Sequence, residues 1–114
     1  MRELLYNAAT HFKRGEALAS QGDDSGAVDA LSDALRDLHA VKPQRLRNAL
    51  LSQVYLSRHQ VAKRLGQASA ESDLRMGYSY ARTTREPAVR VLAETLWREY
   101  LAERAKAREE VGSD

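Results

Sequence analysis

In a chain of 114 residues without cysteine, the residues whose types and spacing could do chemistry are first its histidine, serine, carboxylate and cationic side chains. Their spacing decides what chemistry remains. The three histidines, His11, His39 and His59, fall on different predicted helices, and none has a second ligand-type residue four positions on in an HExxH arrangement. The serines form no GxSxG elbow, and no glycine-rich loop resembles a P-loop or a dinucleotide fingerprint. The carboxylate pairs Asp23/Asp24 and Glu109/Glu110 sit at a turn and in a charged tail, where capping and solubility use them. Disulfides, thiolate zinc sites and thiol nucleophiles are excluded outright. The expectation is a protein that is not an enzyme, with no catalytic residues, no metal and no cofactor.

Charge is the chemistry that is left. The net charge is only +2, yet residues 1–40 carry four basic and seven acidic side chains, while residues 42–90 carry ten basic and three acidic ones. Lys42, Arg45, Arg58, Lys63 and Arg64 form a candidate patch for an acidic partner, with Arg47 and His59 beside them. This pattern supports one functional alternative, a nucleic-acid-binding or transcription-regulatory domain using residues 42–64. Solvation of helix faces explains the same charges, and so does internal pairing with the acidic ridge Asp29, Asp33 and Asp37.

The elements that must position these groups are helices. Prolines are two and glycines six, β-branched residues are sparse, and Ala, Leu, Arg and Glu abound. With 43% hydrophobic and 30% charged residues the chain reads as one globular domain. The start MRELLYNAAT has no apolar h-region and no long uncharged run follows, so no signal peptide or membrane span is expected. Lack of cysteine favours a cytoplasmic address.

Apolar residues at three- and four-residue steps predict helices over 2–20, 25–41, about 43–65, 70–82 and 87–107. Gly15 and Gly77 lie in helix interiors, where glycine costs up to about 1 kcal/mol against alanine; close approach of a neighbouring helix is the expected reason. In the second helix, Ala27, Leu31, Ala34, Leu35 and Leu38 make the inner face, with Asp24 or Ser25 as the cap. The third helix has two apolar stripes, Leu46-Leu50-Val54-Val61-Leu65 and Leu51-Tyr55-Ala62, and is therefore expected at the centre of the domain. The domain is expected to span 1–108, with 109–114 a charged, disordered tail.

Residues 8–41 resemble one tetratricopeptide repeat. Gly15, Ala27, Leu31 and Ala34 match the family pattern at its spacing, with Gln21-Gly22-Asp23-Asp24 as the turn, whereas His11, Arg14 and Leu18 depart from it and the closing proline is delayed to Pro43. The second pair, 43–85, matches only in outline. The resemblance implies an all-α, right-handed array of antiparallel helix pairs, about five helices with the last as a cap. It also implies a scaffold or adaptor role in protein–protein interaction. Such domains hold an extended peptide or a helix in the groove lined by the first helix of each pair. Here that lining comprises Phe12, Glu16, Leu46, Leu50 and Gln53, with part of the Arg90–Arg98 face; Phe12, Leu46 and Leu50 suit a core equally well. Phe12 and Glu16 occupy the places where some members use Lys and Asn to grip a terminal carboxylate, so that clamp is not expected. Trp97, Tyr100 and Leu101 offer a seam for homodimerisation.

Overall fold

The computed structural model describes residues 2–112, with side chains through Glu110. Five helices follow in order: α1 (Arg2–Ser20), α2 (Asp24–His39), α3 (Arg45–Arg64), α4 (Ser69–Ala81) and α5 (Pro87–Gly112). No strand occurs among the described residues.

Two helices end in the same way. Gly22 and Gly66 take the left-handed conformation, φ 84° and 70°, just past α1 and α3. This turns the chain so that the Asp23 and Gln67 amides donate to the Leu18 and Ala62 carbonyls, which closes both helices in Schellman motifs. The first of these turns delivers Asp23 to the start of α2, where its side chain accepts the Gly26 amide at 2.9 Å. Asp23 is thus the cap, one position earlier than expected. Pro43 stands outside α3, which begins after an extended Gln44. Ala68, rather than Ser69, precedes α4, with no side-chain cap. α5 runs on to Gly112, past the expected end at Ala107, because Ala102, Ala105, Ala107 and the intervening Glu, Lys and Arg are all strong helix formers. Residues 109–112 of the expected tail are therefore helical, while 113 and 114 lie outside the described residues.

The helices pack as antiparallel pairs, α1 with α2 and α3 with α4; α2 joins the pairs by lying on α3, and α5 lies along α4. α3 touches all four other helices, as its two apolar stripes require. Val54, Val61, Leu51, Tyr55 and Ala62 are buried, but Leu46 (56% exposed) and Leu65 overhang the ends. One apolar cluster joins α1, α2 and α3 around Leu31, Leu38 and Leu51. A second joins Leu56 and Leu74 to Val89, Ala93 and Leu96 of α5.

Glycine sets the closest approach in each pair. A Cβ at Gly15 would lie 2.8 Å from Leu31 Cγ, and one at Gly77 would lie 2.8 Å from Leu56 Cγ and 3.2 Å from the Leu56 backbone nitrogen. The first pair places its glycine on its first helix and the second pair on its second, so this contact is not repeated in register. Beside Gly77, the buried Ser52 hydroxyl donates to the Gly77 carbonyl at 2.8 Å. Gly77→Ala should therefore lower stability by about 1–3 kcal/mol despite alanine's better helix propensity. A urea midpoint equal to or above the parent's would show that α3 and α4 are not held this close.

Candidate functional site

A concave trough lies where α1 and α3 run side by side in front of α2. It encloses about 330 Å³. Gly15, Glu16, Ala19 and Ser20 of α1 form one wall, Ser57, Gln60, Val61 and Arg64 of α3 the other, and Leu31 of α2 the floor. Gly15 lets Leu31 lie directly against α1 at the base of the trough, since a Cβ there would come within 2.8 Å of it. Its chemistry is an apolar base of Leu31, Val61 and Ala19 beneath hydroxyl, amide and carboxylate groups.

Electrostatically the trough is acidic. At one end Arg64 donates to both carboxylate oxygens of Asp24, with the shortest contact 2.9 Å. That hydrogen bond holds the Asp24 carboxyl below its usual range. With Arg64 neutralised in this way, Glu16 is left as the charge without an ion-pair partner among the described residues.

Of the expected groove residues, Glu16 lines this trough. Phe12 and Leu50 are half-buried and packed on the main apolar cluster, Gln53 is half-buried, and Leu46 is exposed at the start of α3. The trough continues the same two faces by one to three turns, through Ala19 and Ser20 on α1 and Ser57, Gln60 and Arg64 on α3. The three- and four-residue steps from Glu16 and Gln53 lead to these positions.

The expected acidic-partner patch is not assembled. Arg58 Nε and Nη2 donate to Asp73 at 3.0 and 2.6 Å, its Nη1 donates to Ser32 at 3.1 Å, and its guanidinium lies over the Tyr55 ring. Asp73 is 3% exposed, and its burial had no local signal in the sequence. Lys63 pairs with Glu103 of α5 at 2.6 Å and Arg64 with Asp24. Lys42 and Arg45 alone of the five remain exposed without an ion pair among the described residues.

Two of the three residues expected at a dimer seam are used within the chain. Trp97 stacks on Tyr78 with ring centroids 5.0 Å apart, Arg75 lies over its indole, and Tyr100 is tilted against it. Leu101 is 47% exposed. The histidines each serve a different contact. His11 lies 3.6 Å from Asp37, His59 Nδ1 donates to the Ala70 carbonyl at 2.7 Å, and His39 Nε2 lies 2.8 Å from the Tyr55 hydroxyl. Tyr55 in turn stacks on Tyr80. Loss of solvent, with Arg47 and Arg58 nearby, holds the His39 imidazole below its usual pKa, and a neutral ring nitrogen can accept a hydrogen bond from the phenol. Solvent exclusion likewise pushes the Tyr55 hydroxyl up.

No helix among the described residues is long and apolar enough to cross a membrane. No protein-family model matches the chain, and neither a curated protein nor a solved structure is significantly similar to it.

Removing one member of the Arg58–Asp73 pair leaves a buried charge without its partner. Asp73→Asn or Arg58→Met should cost about 3–5 kcal/mol in urea unfolding, and the double change Arg58→Met/Asp73→Leu should recover much of it. Lys63→Ala, at an exposed pair, should cost under about 1 kcal/mol; equal losses at the two pairs would place Arg58 on the solvent side. For His39 the folded pKa is lowered, so its contribution is complete above about pH 6.5 and is lost as pH falls through the lower folded value. The parent should lose more of its urea midpoint than His39→Gln between about pH 7.5 and 5; identical losses would remove His39 as the cause.

Proposed function

We propose that this chain is a non-catalytic protein-binding domain, an adaptor of tetratricopeptide-repeat type, that holds a peptide or a helix in the trough between α1 and α3. One observation carries the reading. The cavity lies between the first helices of the two antiparallel pairs, which is the surface that the sequence resemblance assigns to ligands. Its volume is at the lower end of the range for ligand sites and suits one or two side chains of a longer segment that continues along the faces of Phe12 and Gln53.

The chemistry of the walls narrows the partner. Leu31, Val61 and Ala19 favour an apolar side chain, and Ser57 and Gln60 can bond a peptide backbone. Glu16 adds an uncompensated carboxylate, which favours a lysine or arginine beside that apolar residue. A cytoplasmic location belongs to the same reading, because a cysteine-free adaptor has no need of an oxidising compartment.

Selection from a random dodecapeptide display library should enrich sequences that pair a basic with an apolar residue. Ser57→Trp, which fills the trough from a half-buried position, should weaken the selected peptides at least tenfold with an unchanged thermal midpoint. Glu16→Lys should weaken those with a basic residue most. Retention of full affinity by Ser57→Trp would place the binding surface elsewhere.

A further inference from the structure

Up-and-down packing brings three distant segments to one end of the molecule. The pairing is registered by Arg47 Nε donating to the Leu38 carbonyl at 3.2 Å, by Ser52 on Gly77, and by a small cleft that Arg82 and Arg90 line together. The start of α1, the α2–α3 connection and the α4–α5 connection with the first turn of α5 therefore share this end. In residues 2–5, 40–48 and 81–90 there are seven basic side chains and two acidic ones, Glu3 and Glu86. That is a charge of +5 on a chain whose net charge is +2, so the remainder of the molecule is net acidic.

No cation of this end belongs to an ion pair among the described residues; the same holds for Lys13, Arg14, Arg98, Arg104, Lys106 and Arg108, but only here do such cations from three segments gather. Among the described residues the cations in ion pairs are Arg36, Arg58, Lys63, Arg64 and Arg75, and His11 lies near Asp37. Arg2, Lys42, Arg45, Arg82, Arg85 and Arg90 are all exposed and take part in none of them. Neither α3 nor α5, the two helices that begin at this end beside α1, has an acidic residue in its first turn. Like charges gathered without partners repel one another, and a polyanion relieves that repulsion.

We propose that this end binds single-stranded nucleic acid through its phosphate backbone. The cleft shared by Arg82 and Arg90 is about 30 Å³, room for about one water and too small for the side-chain anchor of an acidic protein segment. A phosphate backbone needs no such anchor, because it presents charge at every nucleotide. All but one of the six cations are arginine, whose planar fork suits phosphate oxygens. Tyr6, 73% exposed near the start of α1, supplies a ring on which a base can stack. The surface consists of connections and helix ends, with no helix lying lengthwise for a duplex groove, so a single strand fits it. The site is separate from the peptide trough, which lies at the C-terminal ends of α1 and α3.

Anisotropy of a labelled 20-nucleotide oligouridine, titrated with the full chain at about 50 and 200 mM salt, tests this. Binding should weaken with a log–log salt slope of about −3 to −4, the value for about five phosphates on a single strand. Arg82→Glu/Arg85→Glu and, independently, Lys42→Glu/Arg45→Glu should each weaken binding at least tenfold at the lower salt with unchanged circular dichroism. Lys106→Glu/Arg108→Glu, the same charge change far along α5, should stay within twofold. Absence of binding at 50 mM salt, or an equal loss in the α5 variant, would overturn the proposal. Displacement of the RNA by polyglutamate at equal charge concentration would also overturn it, in favour of an acidic protein partner.

Discussion

The arrangement of the helices depends on a charged group that cannot be left alone. Arg58 extends from the middle of α3 to a carboxylate on α4 and a hydroxyl on α2, and stacks over Tyr55 on its own helix. Asp73 is withdrawn almost entirely from water, which is tolerable only while the guanidinium stays in place. The interaction adds little net stability compared with an apolar substitute. It does penalise any sliding of α4 along α3, or of the first pair over the second, because a shift of one turn would strand a buried charge. The apolar contacts around Leu51 and Leu56 are far more permissive of such shifts, so register falls to the polar group.

Around that point the two helix pairs solve the same packing problem differently. Each brings its helices together over a glycine, but Gly15 lies on the leading helix of its pair and Gly77 on the trailing one. The trough lies beside Gly15 of α1, over Leu31. At the second pair Leu56 packs on Gly77 as Leu31 packs on Gly15, and the hydrogen bond from Ser52 to the Gly77 carbonyl lies beside it.

Much of this was legible in the sequence, and the reasons are local. The α2 face of Ala27, Leu31, Ala34, Leu35 and Leu38 is buried throughout, because helical periodicity alone specifies which residues share a side. Caps are less legible. Asp23, Asp24 and Ser25 are all competent, and only the left-handed turn at Gly22 decides that Asp23 is used. Non-local facts escaped the sequence altogether. Nothing in the composition of α4 shows that Asp73 faces inward, since its partner is fifteen residues away in another helix. Within the basic segment 42–64, burial consumes Arg58 while α2 and α5 neutralise Arg64 and Lys63. The cations left exposed gather with others from 82–90 only once the antiparallel register is known. Periodicity also identifies the faces of α1 and α3 but not the level at which they diverge, so the trough lies further along than Phe12 and Leu50.

The division of the apolar interior into two clusters has a consequence for motion. Val89, Ala93 and Leu96 of α5 belong to the cluster built on Leu56 and Leu74, and none of α5 enters the cluster that holds α1, α2 and α3 together. α5 can therefore detach as a unit, at less than the cost of global unfolding, without opening the larger cluster. Beyond Glu103 the helix has only exposed side chains through Glu110, so a load applied to that overhang acts on the α4–α5 seam like a handle on a hinged flap.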